Sequence, residues 1–367
     1  MEFTCKSKDL NEAINNVIRA VPQKSPMPAL ECIKLFIDGS KLSLTGYDLE
    51  LAIVTHIDAQ SMDHGEILVN AKIFSDIIRK LPYENVTIKV DENLKMTITS
   101  GSAIFNIPSL SADDYPKVLE IDRSDFFKFS QPVLKNMIEQ TIFAVAVSDS
   151  KPILKGELFD IENGEFNLVA IDGFRLAVRK EKIDTDDKFY FVVKSKALSE
   201  LQRILSNDPD DEITVYVTKK HAAFEMGSYT LITRLLEGEF HKYKGSIPTK
   251  FNTEAEVETR AINDVLDRCM VMIVEHTKAA VRCNFNNGSV YVTVSTSLGN
   301  YSDECSVNMT GDPVEIGFNC RYFLDALKAS QSDKIRIKLG GSLSPITILP
   351  YDGDDFIFLV LPVRLKN

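Results

Sequence analysis

The sequence predicts an α+β protein built from three tandem copies of one helix-and-sheet domain. A unit of amphipathic helix followed by an alternating strand occurs three times, at 72–90, 196–217 and 321–339. An Asp-Gly or Asn-Gly pair, the dipeptide of a tight hairpin, precedes each unit, and the three glycines lie 125 and 124 residues apart. A period of about 124 residues is too long for a solenoid repeat and fits whole domains.

The second helix of each copy has the i, i+3, i+4, i+7 spacing of an amphipathic helix. Its apolar positions are Phe74, Ile77, Ile78 and Leu81 in the first copy, Leu198, Leu201 and Leu205 in the second, and Phe323, Ala326 and Leu327 in the third. The strands that follow, VTIKV, ITVYV and IRIKL, alternate apolar and polar residues. Another amphipathic helix precedes each hairpin, so the order helix, hairpin, strands, helix, strands is predicted three times.

The domain boundaries are predicted near 122–128 and 246–254, which gives domains at 1–123, 124–248 and 249–367. Neither boundary is a long flexible linker, so we expect the domains to pack in a fixed relation. The alternative is a chance likeness between generic α+β segments, but three landmarks with one spacing argue against it.

Composition limits the classes of protein. The 367 residues are 44% hydrophobic and carry a net charge of −11, which argues against a surface coated with nucleic acid. No apolar run has the length of a membrane span, and the first residues, MEFTCKSKDL, lack the apolar stretch of a signal peptide. The six cysteines and five histidines show no metal-ligand spacing. We therefore expect a cytoplasmic protein with reduced, buried thiols, no metal and no cofactor.

Positive charge concentrates on the second helices despite the acidic total. The positive residues are Lys72, Arg79 and Lys80, then Lys194, Lys196 and Arg203, then Arg321 and Lys328, against Asp76, Glu200 and Asp325. If the three helices face one side, they form a stripe that attracts a phosphate backbone without reading its sequence. The alternative for any single helix is an ordinary solvated face.

One strand pattern is repeated with a change. Residues 170–178, AIDGFRLAV, follow the pattern of 46–54, with Asp172 at the position of Asp48. The second copy carries Gly173, Phe174 and Arg175 where the first has residues that we expect in a plain strand. This change suggests that the second copy is modified to hold a partner.

These motifs resemble those of the bacterial sliding clamp family, the β subunit of DNA polymerase III. The resemblance covers essentially the whole chain and is carried by FTCKSKDL (3–10), LSLTGYDLEL (42–51), AIDGFRLAV (170–178), EIGFNCRYFLDAL (315–327) and LPVRL (361–365). It implies a DNA clamp fold and a head-to-tail homodimer that forms a ring, with helices lining the hole.

The resemblance also implies a function without catalysis. The ring would encircle double-stranded DNA without sequence preference and tether the DNA polymerase III α subunit. A clamp loader would place it on DNA, and other proteins of replication and repair would use the same clamp-binding motif. Tethering would raise the effective concentration of the polymerase at the primer end.

A cleft for that motif is implied between the second and third domains. The matching residues are Leu154, Ile171, Gly173, Phe174, Arg175, Leu176, His241, Asn319, Tyr322, Leu343, Pro345, Leu359, Leu361, Pro362, Val363 and Arg364. Such an apolar groove with polar rims suits aliphatic and aromatic anchors. Phe174 stands where family members often have a polar residue, and core packing is its alternative role. His241, Gly245 and Ser246 also depart from the family pattern.

Two further sets of residues are assigned. The DNA-binding candidates are Lys24, Lys72, Lys80, Lys151, Lys194, Lys196 and Arg203. The dimer seam is predicted from the run CMVMIV (269–274), which we expect to continue the helix from 260 and which is apolar all round, more than one buried face requires. Met272 and Ile273 of this run would oppose Leu81 and Phe105 of the other copy. The alternative is a helix buried wholly within the third domain.

Two other classes of protein fit the sequence less well. An enzyme is disfavoured because the sequence has no paired acid–base motif, phosphate loop or nucleophile elbow. A scaffold that never touches DNA is disfavoured by the basic helix faces, which such a protein does not need.

Overall fold

The computed structural model describes residues 1–148, 150–273 and 280–365, and it contains the predicted order of elements three times. The first copy comprises β1 Glu2–Lys6, α1 Ser7–Val17, β2 Cys32–Asp38, β3 Lys41–Tyr47, β4 Leu51–Asp58, β5 His64–Asn70, α2 Ala71–Ile78, β6 Asn85–Val90, β7 Lys95–Ser100 and β8 Ala103–Pro108.

The second copy has the same order. It comprises β9 Phe126–Ser130, α3 Gln131–Thr141, β10 Gly156–Glu162, β11 Glu165–Ile171, β12 Arg175–Lys182, β13 Phe189–Lys194, α4 Ser195–Ile204, β14 Glu212–Val217, β15 His221–Met226 and β16 Tyr229–Arg234.

The third copy adds one short strand, β21. It comprises β17 Thr253–Glu258, α5 Thr259–Met270, β18 Val281–Asn286, β19 Ser289–Thr296, β20 Gly299–Ser306, β21 Asn308–Gly311, β22 Val314–Phe318, α6 Cys320–Ser330, β23 Lys334–Leu339, β24 Ile346–Pro350 and β25 Phe356–Val360. Among the described residues, no helix combines the length and the apolar character needed to cross a membrane.

The chain forms two compact units. Unit 1 contains residues 1–132 and 203–235, and unit 2 contains 133–202 and the described residues from 236 onward. Unit 1 has an eight-stranded sheet, β5-β2-β3-β4-β16-β15-β14-β9, and a four-stranded sheet, β1-β6-β7-β8. Unit 2 has a nine-stranded sheet, β13-β10-β11-β12-β25-β24-β23-β17-β21, and a four-stranded sheet, β20-β19-β18-β22.

In each large sheet, one pair of strands joins one copy of the repeat to the next, and the two pairs occupy equivalent positions. In unit 1, β4 pairs antiparallel with β16, with Leu51 opposite Thr233. In unit 2, β12 pairs antiparallel with β25, with Arg175 opposite Val360. Each large sheet therefore combines strands from two predicted domains.

The hairpin turns confirm the repeat and correct its first landmark. Asn163-Gly164 and Asn287-Gly288 are the two central residues of their turns, and all four have positive φ, as a type I′ hairpin requires. In the first copy Asp38 pairs with Lys41, so the turn is Gly39-Ser40 and not Asp38-Gly39. Gly39 has positive φ, whereas Ser40 does not. The first turn residues, at 39, 163 and 287, are therefore evenly spaced at 124.

Three predictions about local structure were wrong. Residues 48–50 form a turn between β3 and β4 and not a plain strand, with Leu49 at φ 76°. Helix α2 ends at Ile78, so Lys80 and Leu81 lie beyond it. Helix α5 ends at Met270, so Met272 and Ile273 are not helical, and Val274 lies outside the described residues.

Candidate functional site

The turn between β11 and β12 is held by an aspartate. Asp172 Oδ1 accepts hydrogen bonds from the backbone N–H groups of Phe174 (2.8 Å) and Arg175 (3.0 Å). Gly173 has φ 93°, a conformation that side chains rarely adopt, and a Cβ there would meet nothing within 4 Å. The turn therefore projects Phe174 outward, and its ring is 59% exposed.

Arg175 connects this turn to helix α6. Its Nε lies 3.0 Å from Asp172 Oδ2 and its Nη1 lies 2.5 Å from Asp325 Oδ2. The guanidinium also lies over the rings of Tyr322 (4.5 Å) and Phe143 (5.4 Å), a cation–π arrangement. Because the Arg175 side chain is only 10% exposed, these bonds are shielded from water, and they hold the turn against the helix.

A cleft of about 610 Å³ opens beside this turn, wholly within unit 2. Ten of the sixteen predicted cleft residues line it: Leu154, Ile171, Gly173, Phe174, Arg175, Leu176, His241, Pro345, Leu359 and Leu361. Its floor is the buried cluster that contains Leu154, Leu176 and Leu359. The volume and the apolar floor suit a few aliphatic or aromatic side chains of a ligand.

The C-terminal segment forms one wall of the cleft. Leu361 donates its backbone N–H to the carbonyl of Phe174 (2.8 Å), and Val363 donates to the carbonyl of Gly317 (2.8 Å). A Cβ on Gly317 would lie 2.5 Å from the Val363 carbonyl oxygen and 2.7 Å from Leu365 Cδ2. Glycine at 317 therefore lets the tail pack closely enough to bring Leu361 into the cleft.

Six predicted cleft residues do not line the cavity: Asn319, Tyr322, Leu343, Pro362, Val363 and Arg364. Tyr322 stacks on Phe174, with ring centroids 6.1 Å apart. Phe174 lines the cavity and Tyr322 does not, so the stacked rings form the edge of the cleft. Asn319 caps α6 by accepting from the Arg321 N–H (3.1 Å). Leu343 and Val363 are exposed. The single groove that we predicted is therefore two surfaces: a concave cavity lined by ten of the predicted residues, and a shallow surface beside it that contains the other six.

Sequence reasoning missed several lining residues. Ile153, Glu239, Phe240 and Lys242 line the cleft, as do Lys151, which we assigned to DNA, and Ser246. His241 Nε2 and Ser246 Oγ lie 2.8 Å apart. The signal that could have found Phe240 is the repeat, because Tyr115 occupies the same position in the first copy and is also buried.

Five of the other six DNA-binding candidates lie on or near the second helices. Lys72 is exposed in α2, and Lys80 is exposed just beyond it. Lys194 ends β13, and Lys196 and Arg203 are exposed in α4. Lys24 is exposed in the loop before β2. Their assignment to DNA stays a prediction.

Two of the four seam candidates, Phe105 and Met272, lie on or beside the edge strands β8 and β20. Phe105 is exposed on β8, the edge of its four-stranded sheet, and Leu81 is half-buried in unit 1. Met272 Cε would lie 3.3 Å from a Cβ on Gly299, the first residue of the edge strand β20. Met272 and Ile273 also pack against the core of unit 2.

The structure offers little for covalent or metal chemistry. All six cysteines are buried and free, as predicted, and burial raises the pKa of Cys5 to about 12 and that of Cys305 to about 11. Thiols with such pKa values are weak nucleophiles near neutral pH. Within the described ranges, no group of three or more His, Cys, Asp or Glu side chains could hold a metal ion.

Comparisons with known proteins cover the whole length of the chain. Family models match at residues 1–119, 128–242 and 244–364, as the N-terminal, central and C-terminal domains of the DNA polymerase III beta subunit. A beta sliding clamp of Halalkalibacterium halodurans is 32% identical, over 99% of this chain and 100% of that one.

Solved structures give the same result. The sliding clamp of Bacillus subtilis has a TM-score of 0.95 at 29% identity, with 100% of both chains covered. A Pseudomonas aeruginosa sliding clamp bound to griselimycin has a TM-score of 0.95 at 29% identity, also with 100% of both chains covered.

Proposed function

We propose that this chain, which belongs to the DNA polymerase III beta subunit family of sliding clamps, encircles duplex DNA as a ring of two copies. Family membership makes it a processivity factor of DNA replication, built from three tandem clamp domains and without catalysis of its own. In this proposal, the cleft of unit 2 tethers the α subunit of DNA polymerase III and other proteins that carry the same short motif.

The observation that carries the tethering role is the cleft itself. It combines an apolar floor with a rim of Lys151, His241 and Lys242, and Phe174 is presented to solvent at its edge. An exposed aromatic ring beside a preformed apolar cavity is typical of a site that takes a short peptide with hydrophobic anchors. We expect micromolar binding of such a peptide, about −8 kcal/mol.

Sheet topology supports the dimer. Strands β4, β12 and β20 begin at 51, 175 and 299, one repeat apart, and β4 and β12 each pair with the last strand of the next copy. Strand β20 belongs to the third copy and lies at the edge of its sheet, as does β8, the last strand of the first copy. We infer that β20 of one subunit pairs with β8 of the other, head to tail, which closes a ring after two copies.

The repeat also predicts the register of that pairing. The hairpin of β15 and β16 pairs Met226 with Tyr229, and that of β7 and β8 pairs Ser100 with Ala103, so the last strands correspond at a shift of 126. Applied to Leu51 opposite Thr233, this shift places Gly299 opposite Ile107. Tyr301 then lies opposite Phe105, the residue that the family resemblance assigned to the seam.

Cysteine cross-linking tests the register. Ser302→Cys with Ile104→Cys, a directly opposed pair in this register, should form an intersubunit disulfide under mild oxidation. The matched control, Ser302→Cys with Ala103→Cys, shifts the register by one and points the side chains to opposite faces. Faster cross-linking of the control would contradict the register, and sedimentation as a monomer would contradict the dimer.

Ile273→Ala with Leu81→Ala tests the seam residues. The double variant should sediment as a folded monomer, because it removes apolar contacts from both sides of the predicted interface. An unchanged dimer would remove these two residues from the seam.

We propose that the lysine and arginine residues assigned to DNA contact its phosphate backbone. The proposed location of the protein is the cytoplasm. A clamp loader would place the ring on DNA, after which topology holds it. Loaded on nicked circular DNA, the chain should stay bound and should run off when that DNA is cut. Glutamate at 72, 80, 196 and 203 should reduce retention and leave peptide binding intact, because these positions lie outside the cleft.

Retention on linear DNA, or a strong preference for one duplex sequence, would contradict sliding. Peptide binding without any retention on circular DNA would favour the scaffold that never touches DNA.

A further inference from the structure

The segment 239–246 has two faces with different tasks. Phe240, His241, Lys242 and Ser246 line the cleft. Tyr243 is buried in the cluster beneath the cleft and does not line it. The segment contains only one helical turn, Tyr243–Ser246. Because so short an element has few hydrogen bonds of its own, its conformation depends on contacts with neighbouring strands.

Asp160 of β10 is what holds it. Its side chain is only 7% exposed, and Oδ2 accepts a hydrogen bond from the Tyr243 hydroxyl (2.7 Å) and lies 3.1 Å from Lys244 Nζ. Burial and this carboxylate raise the pKa of Tyr243 above its ordinary value, so the phenol stays a donor. A carboxylate that accepts from two adjacent residues of one segment fixes both its position and its orientation.

The fold does not require this contact. Counted in steps of 124, the position of Asp160 is Phe36 in the first copy and Asn284 in the third. Tyr115 and Phe240 correspond at a shift of 125, and at that shift Val118 stands in place of Tyr243. The first copy therefore builds the same strand and the same following segment with an apolar pair of positions. Burying a carboxylate is costly. Only the second copy, which contains the open cleft, has a carboxylate at this position, so we expect Asp160 to act on the cleft and not on the fold.

We propose that Asp160 is a positioning residue for the cleft: through Tyr243 and Lys244 it holds the segment 239–246 in the shape that receives the apolar anchor of a bound peptide. This inference rests on the proposed role of the cleft in peptide binding. Asp160 itself does not line the cleft, so it acts only through the segment.

The test uses Tyr243→Phe, Asp160→Asn and their combination in the full-length chain. Glu162→Gln is the matched control, because Glu162 lies on the same strand and pairs with Lys188 (2.8 Å) at the surface. The probe is a synthetic peptide of about ten residues with one aliphatic and one aromatic side chain near its end. Fluorescence anisotropy gives its Kd, thermal melting gives stability, and hydrogen exchange gives the protection of 239–246.

Each single variant should weaken the peptide roughly tenfold, the usual size of a lost hydrogen bond to a charged group. The double variant should be no weaker than Asp160→Asn alone, because the contact that Tyr243→Phe removes is one of the two that Asp160 makes. Protection of 239–246 should fall in parallel, while Glu162→Gln changes nothing. Unchanged affinity with a lower melting temperature, or additive losses, would overturn the proposal.

The two proposals fail in different ways. If the unaltered chain does not bind the peptide, the proposed function of the cleft fails. In that case protection of 239–246 alone decides the role of Asp160: a loss of protection in both variants supports it, and unchanged protection overturns it.

Discussion

The turn after β3 and the turn after β11 have the same backbone but different surroundings. In the first, Asp48 Oδ1 accepts from the N–H groups of Glu50 (3.0 Å) and Leu51 (2.7 Å), as Asp172 does in the second. The residue after the aspartate has positive φ in both, with Leu49 at 76° and Gly173 at 93°. The turn is thus a property of the repeat and is not by itself a binding site.

What differs is the space beside the turn. Five wall positions correspond between the two pockets: Tyr47, Leu49, Glu50, Ala52 and Ile232 in unit 1, and Ile171, Gly173, Phe174, Leu176 and Leu359 in unit 2. The cavity in unit 1 is about 10 Å³, room for about one water molecule, against about 610 Å³ in unit 2.

The segment behind each pocket explains the difference. Val118 and Leu119 line the small pocket in unit 1. At the equivalent positions of unit 2, Tyr243 and Lys244 turn away toward Asp160 and leave the cleft open. One fold therefore carries a small and a large version of the same pocket, and the side chains at these two positions are one difference between them.

The largest effect that we predict concerns Glu157, which is fully buried in unit 2 where the other copies have Ile33 and Val281. Its Oε2 lies 2.5 Å from Thr141 Oγ1, which also lies 2.8 Å from the Met137 carbonyl oxygen. One hydroxyl proton cannot serve both acceptors, so a protonated Glu157 fits this geometry.

Burial raises the pKa of Glu157 to about 8, whereas the pKa of a glutamate in an unfolded chain is about 4.3. The folded state therefore holds a proton that the unfolded state releases, and stability should fall as pH rises between these values, by about 1.4 kcal/mol per unit. Denaturant unfolding at pH 5, 6.5 and 8 should show this fall in the unaltered chain and a smaller one in Glu157→Gln. Equal slopes would contradict a neutral Glu157.

The tail is expected to have the next largest effect. Deleting 361–367 should weaken peptide binding by about a hundredfold or more, because it removes Leu361 from the cleft wall and its bond to the Phe174 carbonyl. A control deletion of 366–367 should leave the Kd unchanged. Peptide binding that survives the deletion of 361–367 would mean that the tail is not part of the site.

Phe174 and its counterpart Glu50 form a matched pair. Phe174→Ala should weaken the peptide by roughly tenfold or more, since an exposed ring becomes buried on binding. Its exposure excludes the core role, so the free energy of unfolding should change by less than about 1 kcal/mol, against about 3–5 for a buried aromatic. Glu50→Ala should leave the Kd unchanged. A large loss of stability with an unaltered Kd would remove Phe174 from the binding site.

The backbone of the turn gives the smallest effect. Gly173→Ala should lower the free energy of unfolding by about 1 kcal/mol from its positive φ alone, because the added Cβ has open space. Gly245→Ala is the control, since its Cβ would also meet nothing within 4 Å and its φ is not positive. Equal unfolding midpoints in urea would show that the turn carries no backbone strain.

Much of the fold could be predicted because its signals are local. Apolar spacing in helices, alternation in strands and hairpin glycines depend on neighbours within a few residues, so the repeat of 124 was readable. Two of the errors were at helix ends: helix α5, for example, stops at Met270 although the apolar run continues, because composition does not mark a helix end without a cap or breaker.

The candidate site was less predictable, because its contacts join distant residues. The family resemblance supplied ten lining residues, but not that Phe174 and Tyr322 would form the edge of the cleft or that Lys151 would face the cleft. Nothing near Asp160 in the sequence indicates its partner Tyr243, which lies 83 residues away.

The sequence by itself determined the threefold repeat, the family and the order of helices, hairpin and strands along each copy, since these follow from period and motif. Only the tertiary structure decided that β12 pairs with β25, so that the C-terminal tail reaches the turn at Phe174. It also decided which copy of the pocket stays open. The physical reason is that long-range pairing and the direction of a buried side chain depend on the assembled core, which no short stretch of sequence encodes.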